Sequence, residues 1–215
     1  MWLKFIGSRS RFSQVLLSRG CNFECSYCCN HRLSKLSAGK YLRWRHPENI
    51  IAEIRKILKD FPTVRHIFLE SEHIASNQDW CIKLCSCLSQ LNAKLKHPLT
   101  FASNLRIQPG FDPENVFSAL KKCNFAHVNI GLESGSERIR KEILKRDYAN
   151  RDLIKAVEIA RKYGLGVNFF NLIGIPTETI ADFKATVGIN LICLQDQQIT
   201  SIFFRCAERP LPVIL

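Results

Sequence analysis

Apolar positions along this chain change period repeatedly. Short runs rich in β-branched and aromatic residues give way to stretches with apolar residues three and four apart. Gln14–Ser18 reads as a strand. His46–Asp60 reads as a helix, with Pro47 near its first turn and Ile50, Ile51, Ile54, Ile57 and Leu58 on one face. The alternation continues with a strand over Val64–Leu69 and a helix over Asn77–Leu91, then a strand over Leu99–Ser103 and a helix over Pro113–Lys122. Val128–Leu132 is the next predicted strand, and Ser134-Gly135-Ser136-Glu137 resembles a capping box opening a helix to about Lys145. Asn150 is placed to cap a further helix, with Leu153, Val157 and Ala160 on one face and Gly164 just past its end. A strand over Val167–Ile173, a helix over Thr179–Leu194 and a strand over Ile199–Phe204 complete the pattern.

Six such strands alternating with helices imply an α/β fold of parallel strands joined by right-handed crossovers. Six are too few for a closed eight-stranded barrel. A partial (β/α)6 TIM-like barrel, open along one side, fits; a flat doubly wound sheet fits the same periodicity. Either arrangement gathers ligands at the C-terminal ends of the strands. With 215 residues and 46% apolar composition the chain is globular, and a single domain over residues 1–215 is the expected organisation.

Composition narrows the setting. No apolar run approaches the roughly 20 residues of a membrane span. The segment Met1–Gly20 mixes Lys4, Arg9, Arg11 and Arg19 with apolar residues and has no signal-peptide core, so a cytoplasmic location is expected. The net charge of +12 is spread along the chain, with mild concentrations at Lys40–Arg45 and Arg138–Arg151 and no polybasic tail. A solvated basic surface accounts for it better than an RNA-binding face. Ten cysteines in a chain of this kind favour reduced thiols and a metal site over a disulfide framework.

The candidate chemistry lies just past the first strand. Ser18-Arg19-Gly20-Cys21-Asn22-Phe23-Glu24-Cys25-Ser26-Tyr27-Cys28 holds a Cys-x3-Cys-x2-Cys spacing. Thiolates are soft ligands suited to iron–sulfur clusters or zinc. Three of them can hold three irons of a cubane and leave the fourth open, whereas structural zinc wants a fourth Cys or His. Cys29 and His31 stand nearby for that alternative.

This motif, with Tyr27 just before its last cysteine, resembles that of the radical S-adenosylmethionine (SAM) superfamily. The resemblance extends over nearly the whole chain. Arg43-Trp44-Arg45, followed by Glu48 and Ile51–Ile54, is similar to the approach to the first helix in the subgroup that usually carries a cobalamin-binding domain, and in methylthiotransferases. Gly131-Leu132-Glu133-Ser134-Gly135-Ser136 resembles that subgroup's fourth-strand motif, and Asn171-Leu172-Ile173-Gly174-Ile175-Pro176-Thr177-Glu178-Thr179 its fifth. The resemblance implies a [4Fe–4S] cluster on Cys21, Cys25 and Cys28, with SAM chelating the unique iron. It implies reductive cleavage of SAM to a 5′-deoxyadenosyl radical, hydrogen abstraction from a substrate, and a one-electron donor such as a ferredoxin or flavodoxin. Glu70 or Glu72, ending the second strand with Ser71 between them, would meet the SAM ammonium. Arg106, with Ser103 and Asn104, suits its carboxylate. Glu133 would meet its amino group or ribose, and Gly174 and Ile175 would let the backbone approach adenine. Ser134 also fits a plain helix cap.

The other cysteines read as packing. Cys81, Cys85 and Cys87 fall on a predicted helix, and Cys123, Cys193 and Cys206 are isolated. His66 and His127 read as structural, and His73 as the histidine on the active face. Only 20 residues precede Cys21, too few for a cobalamin-binding domain, and Arg209-Pro210-Leu211-Pro212-Val213-Ile214-Leu215 replaces the subgroup's usual Pro-Gly-Thr-like turn. A partner subunit or homo-oligomer would then be needed to exclude water. Three other readings fit the sequence: a truncated or non-catalytic cluster-binding remnant, a methylthiotransferase-like RNA-modifying enzyme, and a zinc-binding module.

Overall fold

The computed structural model describes residues 11–193 and 199–205. Lys4, Arg9, Leu194, Cys206 and the segment from Arg209 onward lie outside the described residues. In chain order the elements are β1 (Phe12–Leu16), β2 (Ser18–Arg19), α1 (Asn30–Leu36), β3 (Arg43–Trp44), α2 (Pro47–Asp60), β4 (His66–Glu70), α3 (Gln78–Asn92), β5 (Thr100–Leu105), α4 (Pro113–Lys122), β6 (Phe125–Glu133), a π-helical turn (Ile139–Ile143), α5 (Asn150–Lys162), β7 (Gly166–Ile173), α6 (Ile180–Cys193) and β8 (Ile199–Arg205). Six strands pair in parallel in the order β1-β4-β5-β6-β7-β8, and β2 and β3 form a separate antiparallel ribbon.

That order decides between the two architectures the periodicity allowed. Space follows sequence without reversal, so right-handed crossovers put all the connecting helices on one face. A doubly wound sheet requires a reversal. This sheet is therefore wound one way, as in a partial barrel, with β1 and β8 as its edges.

Strand alternation sorts the side chains between the two faces. Ile67, Leu69, Phe101, Val128, Ile130, Val167 and Phe169 turn to the helices and join one buried cluster with Ile50 and Ile54 of α2, Leu84 and Leu88 of α3, Phe117 and Leu120 of α4 and Leu153 and Val157 of α5. Each fully buried Leu, Ile or Phe contributes about 1.5–3 kcal/mol. The opposite face carries Asn104, Asn129 and Asn168, all half-buried, and leaves Phe12, Leu16, Ile202 and Phe204 exposed at the edge strands. Cys81, Cys85, Cys123 and Cys193 are buried in the packing role expected of them. His66 pairs with Thr100 Oγ1 at 2.6 Å.

The segment after β6 departs from expectation. Ser134 does not cap a helix to Lys145: its hydroxyl accepts from Ser136 N and meets Thr186 Oγ1, while Ser136 Oγ accepts from Ile139 N. The expected box partner, Glu137, accepts instead from Asn150 N at 2.7 Å. A helical segment does follow over residues 137–143, opened by Ser136 rather than Ser134 and wound as a π-helix from Ile139. Within it Arg140 is fully buried, donating to Ser134 O and Asn150 Oδ1 and stacking over Tyr148. Asn150 therefore does not cap α5; its side chain also donates to Gly135 O. Asp152 accepts from Ala149 N at the start of α5. The sequence pattern also missed α1 and the β2–β3 ribbon. Both are too short for a periodic signal, and the ribbon is fixed by Trp44 packing on Trp80, with ring centroids 4.3 Å apart.

Gly135 locks this segment to α6. Its N–H donates to Thr186 Oγ1 at 2.8 Å, and an added Cβ would lie only 2.6 Å from Thr186 Cα. Gly135→Ala is expected to lower stability by about 1–3 kcal/mol through overpacking, measured as a fall in the chemical denaturation midpoint at unchanged slope.

Candidate active site

The three motif cysteines sit on the loop that leaves β2, at the C-terminal mouth of the sheet. Gly20 opens the loop at φ +85°, and a Cβ there would stand 2.5 Å from the Tyr41 carbonyl oxygen, so both conformation and space require glycine. Cys25 is buried, while Cys21 and Cys28 are half-exposed and Cys29 is exposed. Burial pushes the Cys21 thiol up; a backbone hydrogen bond at Phe23 opposes this, and the charges of Glu72 and Cys25 add to it.

The loop is tied down from several sides. Ser26 N donates to Leu144 O and Ser26 Oγ to Ile143 O, so the π-helical turn is its floor. Arg106 Nη1 donates to Cys25 Sγ at 2.7 Å with its guanidinium 3.9 Å over the Phe23 ring. Asn30 Nδ2 donates to Cys28 Sγ at 3.6 Å, and Tyr41 OH donates to Asn30 Oδ1.

The strongest tie joins Tyr27 to the end of β6. Tyr27 OH donates to Glu133 Oε1 at 2.9 Å, and Arg146 Nη1 reaches both Tyr27 OH at 2.8 Å and Glu133 Oε1 at 3.1 Å. Arg146 Nη2 donates to Gly131 O. Glu133 and Arg146 are both buried. Burial raises the Glu133 carboxyl, and Arg146 and the Tyr27 hydrogen bond oppose that rise. Glu133 holds φ +63°, costly for a non-glycine residue, and the β6–β7 register shifts between Gly131 and Glu133. This bulge aims the carboxylate back over Gly131, where any Cβ would collide with it.

The remaining expected residues divide. Glu72 is exposed beside Cys21. Glu70 Oε1 accepts from Asn104 Nδ2 at 3.4 Å, and that amide also donates to Ser71 O. Burial, then Glu72, raises the Glu70 carboxyl. Gly174 is exposed at φ +74° and Ile175 is buried; both N–H groups are taken by Glu178 Oε2. His73 lies behind the cysteine loop, its ring 6.1 Å from that of Phe23. Burial pulls it down to about 3, so it is neutral, and its Nδ1 accepts from Arg106 N. Sequence reasoning missed Arg146, which lies among charged neighbours that read as a solvated run; the aromatic Tyr148 beside it was the available signal.

The donor set bears on what the loop can hold. Among the described residues no three His, Cys, Asp or Glu side chains converge on a point suited to one metal ion. Three soft thiolates on one loop are a donor set suited to three irons of a cubane. The residues fit a cluster. No helix among the described residues is long and apolar enough to cross a membrane.

Comparison with known proteins agrees. The radical SAM superfamily model matches residues 15–188. An uncharacterised methyltransferase of Pyrococcus horikoshii is 28% identical over 176 residues, which cover 82% of this chain and 36% of that protein. A tRNA-2-methylthio-N(6)-dimethylallyladenosine synthase of Moorella thermoacetica is 31% identical over 193 residues, covering 84% of this chain and 40% of that protein. The chain spans about a third of the length of such curated relatives. In fold it is similar to TsrM, a radical SAM methyltransferase from Kitasatospora setae solved with cobalamin and a [4Fe–4S] cluster bound, with TM-score 0.77 at 17% identity over 94% of this chain and 35% of that one. The parallel singly wound sheet, the loop at its mouth and a family match over most of the chain meet in one conclusion: the protein belongs to the radical SAM superfamily, whose cofactors are a [4Fe–4S] cluster and SAM.

Proposed function

We propose that residues 1–215 form one radical SAM core domain in which Cys21, Cys25 and Cys28 hold the cluster. The observation that carries this reading is the Tyr27–Glu133–Arg146 link, which makes the cysteine loop and the end of β6 one hydrogen-bonded unit. When bound, the cluster and SAM supply one-electron reductive cleavage of the cofactor and hydrogen abstraction from a substrate. The chain's own residues bind and orient. Glu72, exposed beside Cys21, receives the SAM ammonium. Glu133 receives the amino group or ribose from the opposite side. Arg106, already bonded to Cys25 Sγ, would meet the SAM carboxylate. Gly174 and Ile175, in a turn fixed by Glu178, border the adenine. The one-electron donor is of the ferredoxin or flavodoxin class, and the reduced thiols and oxygen-sensitive cluster suit the cytoplasm.

Oxygen-free reconstitution with iron and sulfide is expected to give cubane absorbance, and a chemical reductant with SAM is expected to give 5′-deoxyadenosine. Cys25→Ala should lose both. Zinc without iron or sulfide in the purified protein would sink the proposal, and a cluster without SAM cleavage would leave the non-catalytic remnant standing.

Arg146 is proposed as a positioning residue. Arg146→Met leaves Glu133 buried without its cation and should cost about 3–5 kcal/mol of stability. SAM should bind at least about tenfold more weakly, and Arg146→Lys should recover part of both losses. Calorimetric SAM titration alongside denaturant melts checks this. Unchanged SAM affinity in a folded Arg146→Met protein would remove Arg146 from the binding machinery.

A further inference from the structure

The face of the sheet away from the helices carries a row of polar side chains that reaches past the residues proposed above to bind SAM. The strand registers align Leu16 with Glu70, Asn104 with Asn129, Asn129 with Asn168 and Asn168 with Thr200. The β4–β5 register, which pairs Leu69 with Ser103, brings Glu70 beside Asn104. One rung thus crosses the sheet as Leu16, Glu70, Asn104, Asn129, Asn168 and Thr200.

Its amides are joined head to tail. Asn168 Nδ2 donates to Asn129 Oδ1 at 3.0 Å, Asn129 Nδ2 to Asn104 Oδ1 at 3.2 Å, and Asn104 Nδ2 to Ser71 O at 3.0 Å and Glu70 Oε1 at 3.4 Å. The direction is forced. A backbone carbonyl and a carboxylate oxygen accept, so the NH2 of Asn104 must face them; its oxygen must then face Asn129, and the same logic fixes Asn168. After these bonds Asn129 and Asn168 each keep an uncommitted N–H, and their oxygens keep lone pairs. All three asparagines are half-buried rather than packed away.

Two rules argue that this is not packing. Asparagine is depleted in strands, and the inward layers of barrels are normally filled by Val, Ile and Leu. Departures from local rules without a packing gain are expected at functional sites. The surroundings suggest the ligand. Phe68 lies two residues before Glu70, and Phe170 lies two residues after Asn168 and packs edge-on to Phe204, with centroids 5.7 Å apart. Arg106, just past the end of β5, has its guanidinium on Cys25 and Phe23. The three asparagines of the rung therefore offer neutral donors and acceptors, with Glu70 at one end and Phe68 and Phe170 at neighbouring positions of the same face.

We propose that this amide rung is the substrate-recognition floor of the site. The ligand it fits is an uncharged planar heteroaromatic ring with a donor and an acceptor on one edge, the pattern of a nucleobase. Asparagine pairs with such an edge through one N–H and one oxygen. The inference rests on the radical SAM reading, because the rung shares its face of the sheet with the proposed cofactor site. It assigns Glu70 and Asn104 to the substrate rather than to SAM.

The test uses the full chain, reconstituted without oxygen, saturated with SAM and left unreduced. Adenosine, cytidine, guanosine and uridine are titrated by calorimetry. At least one should bind, and Asn129→Leu should weaken it by about tenfold or more with SAM affinity unchanged. Asn168→Val, at the open end of the ladder, should weaken it similarly while stranding only a half-exposed carbonyl oxygen that water can serve. Three results would overturn the proposal: no nucleoside binding to the SAM-loaded protein, wild-type binding in both variants, or an equal loss of SAM affinity, which would give the rung to the cofactor. Binding that requires a phosphate on the nucleoside would overturn it too. Cluster absorbance in the same samples reports separately on the radical SAM reading, so nucleoside binding without a cluster would refute that reading and leave the floor in place.

Discussion

The site depends on one shared contact, in which Glu133 Oε1 receives both the Tyr27 hydroxyl and the Arg146 guanidinium. A loop of soft ligands is useful only if its sulfurs hold their places before a cluster arrives. Tyr27 lies between Cys25 and Cys28, so pinning its hydroxyl limits where both thiols can go. The anchor is itself rigid: Glu133 is turned inward by a bulge and a left-handed backbone, and Gly131 makes room for the carboxylate. Backbone strain of about 1–3 kcal/mol persists only where surrounding bonds over-determine it. Arg146, with further bonds to Gly131 O, supplies that determination.

Much of the architecture was legible because it is periodic. The helices over Pro47–Asp60 and Pro113–Lys122 lie where apolar spacing put them, since amphipathic faces bury against a sheet. The choice between a barrel-like and a doubly wound sheet was not legible. It depends on which strands neighbour one another, and spacing along one chain carries no information on that. The cysteine loop was legible from spacing alone. The segment from Ser134 to Asn150 was misread for a physical reason. A capping-box pattern assumes that its polar side chains serve the nearest backbone, whereas here Glu137 serves Asn150 and Arg140 takes Ser134 O. Long-range partners won over local ones.

The basic character of the chain also divides on inspection. Arg138–Arg151 looked like a solvated concentration, yet Arg140 and Arg146 are among the most buried side chains. A buried guanidinium is tolerated when its N–H groups meet fixed acceptors, and both meet main-chain oxygens as well as side-chain partners. Counting charge therefore overstates what the surface offers to a nucleic acid backbone.

A sheet wound one way leaves one face without helices, and what covers that face decides what it binds. Hydrocarbon rows would make it a packed core or an apolar groove. This face instead has an amide row whose polarity is set at one end by the Ser71 carbonyl, with Glu70 beside it. Burial and Glu72 raise the Glu70 carboxyl, but ladder direction survives either protonation state because Ser71 O, which cannot titrate, holds the same amide at the shorter distance. The donor and acceptor pattern facing a ligand is therefore fixed by covalent geometry and the main chain, independent of pH. A site that must aim one hydrogen atom of its substrate at a reactive centre benefits from such a floor. It orients by direction of hydrogen bonds rather than by charge, and direction discriminates between edges of a ring that charge would treat alike.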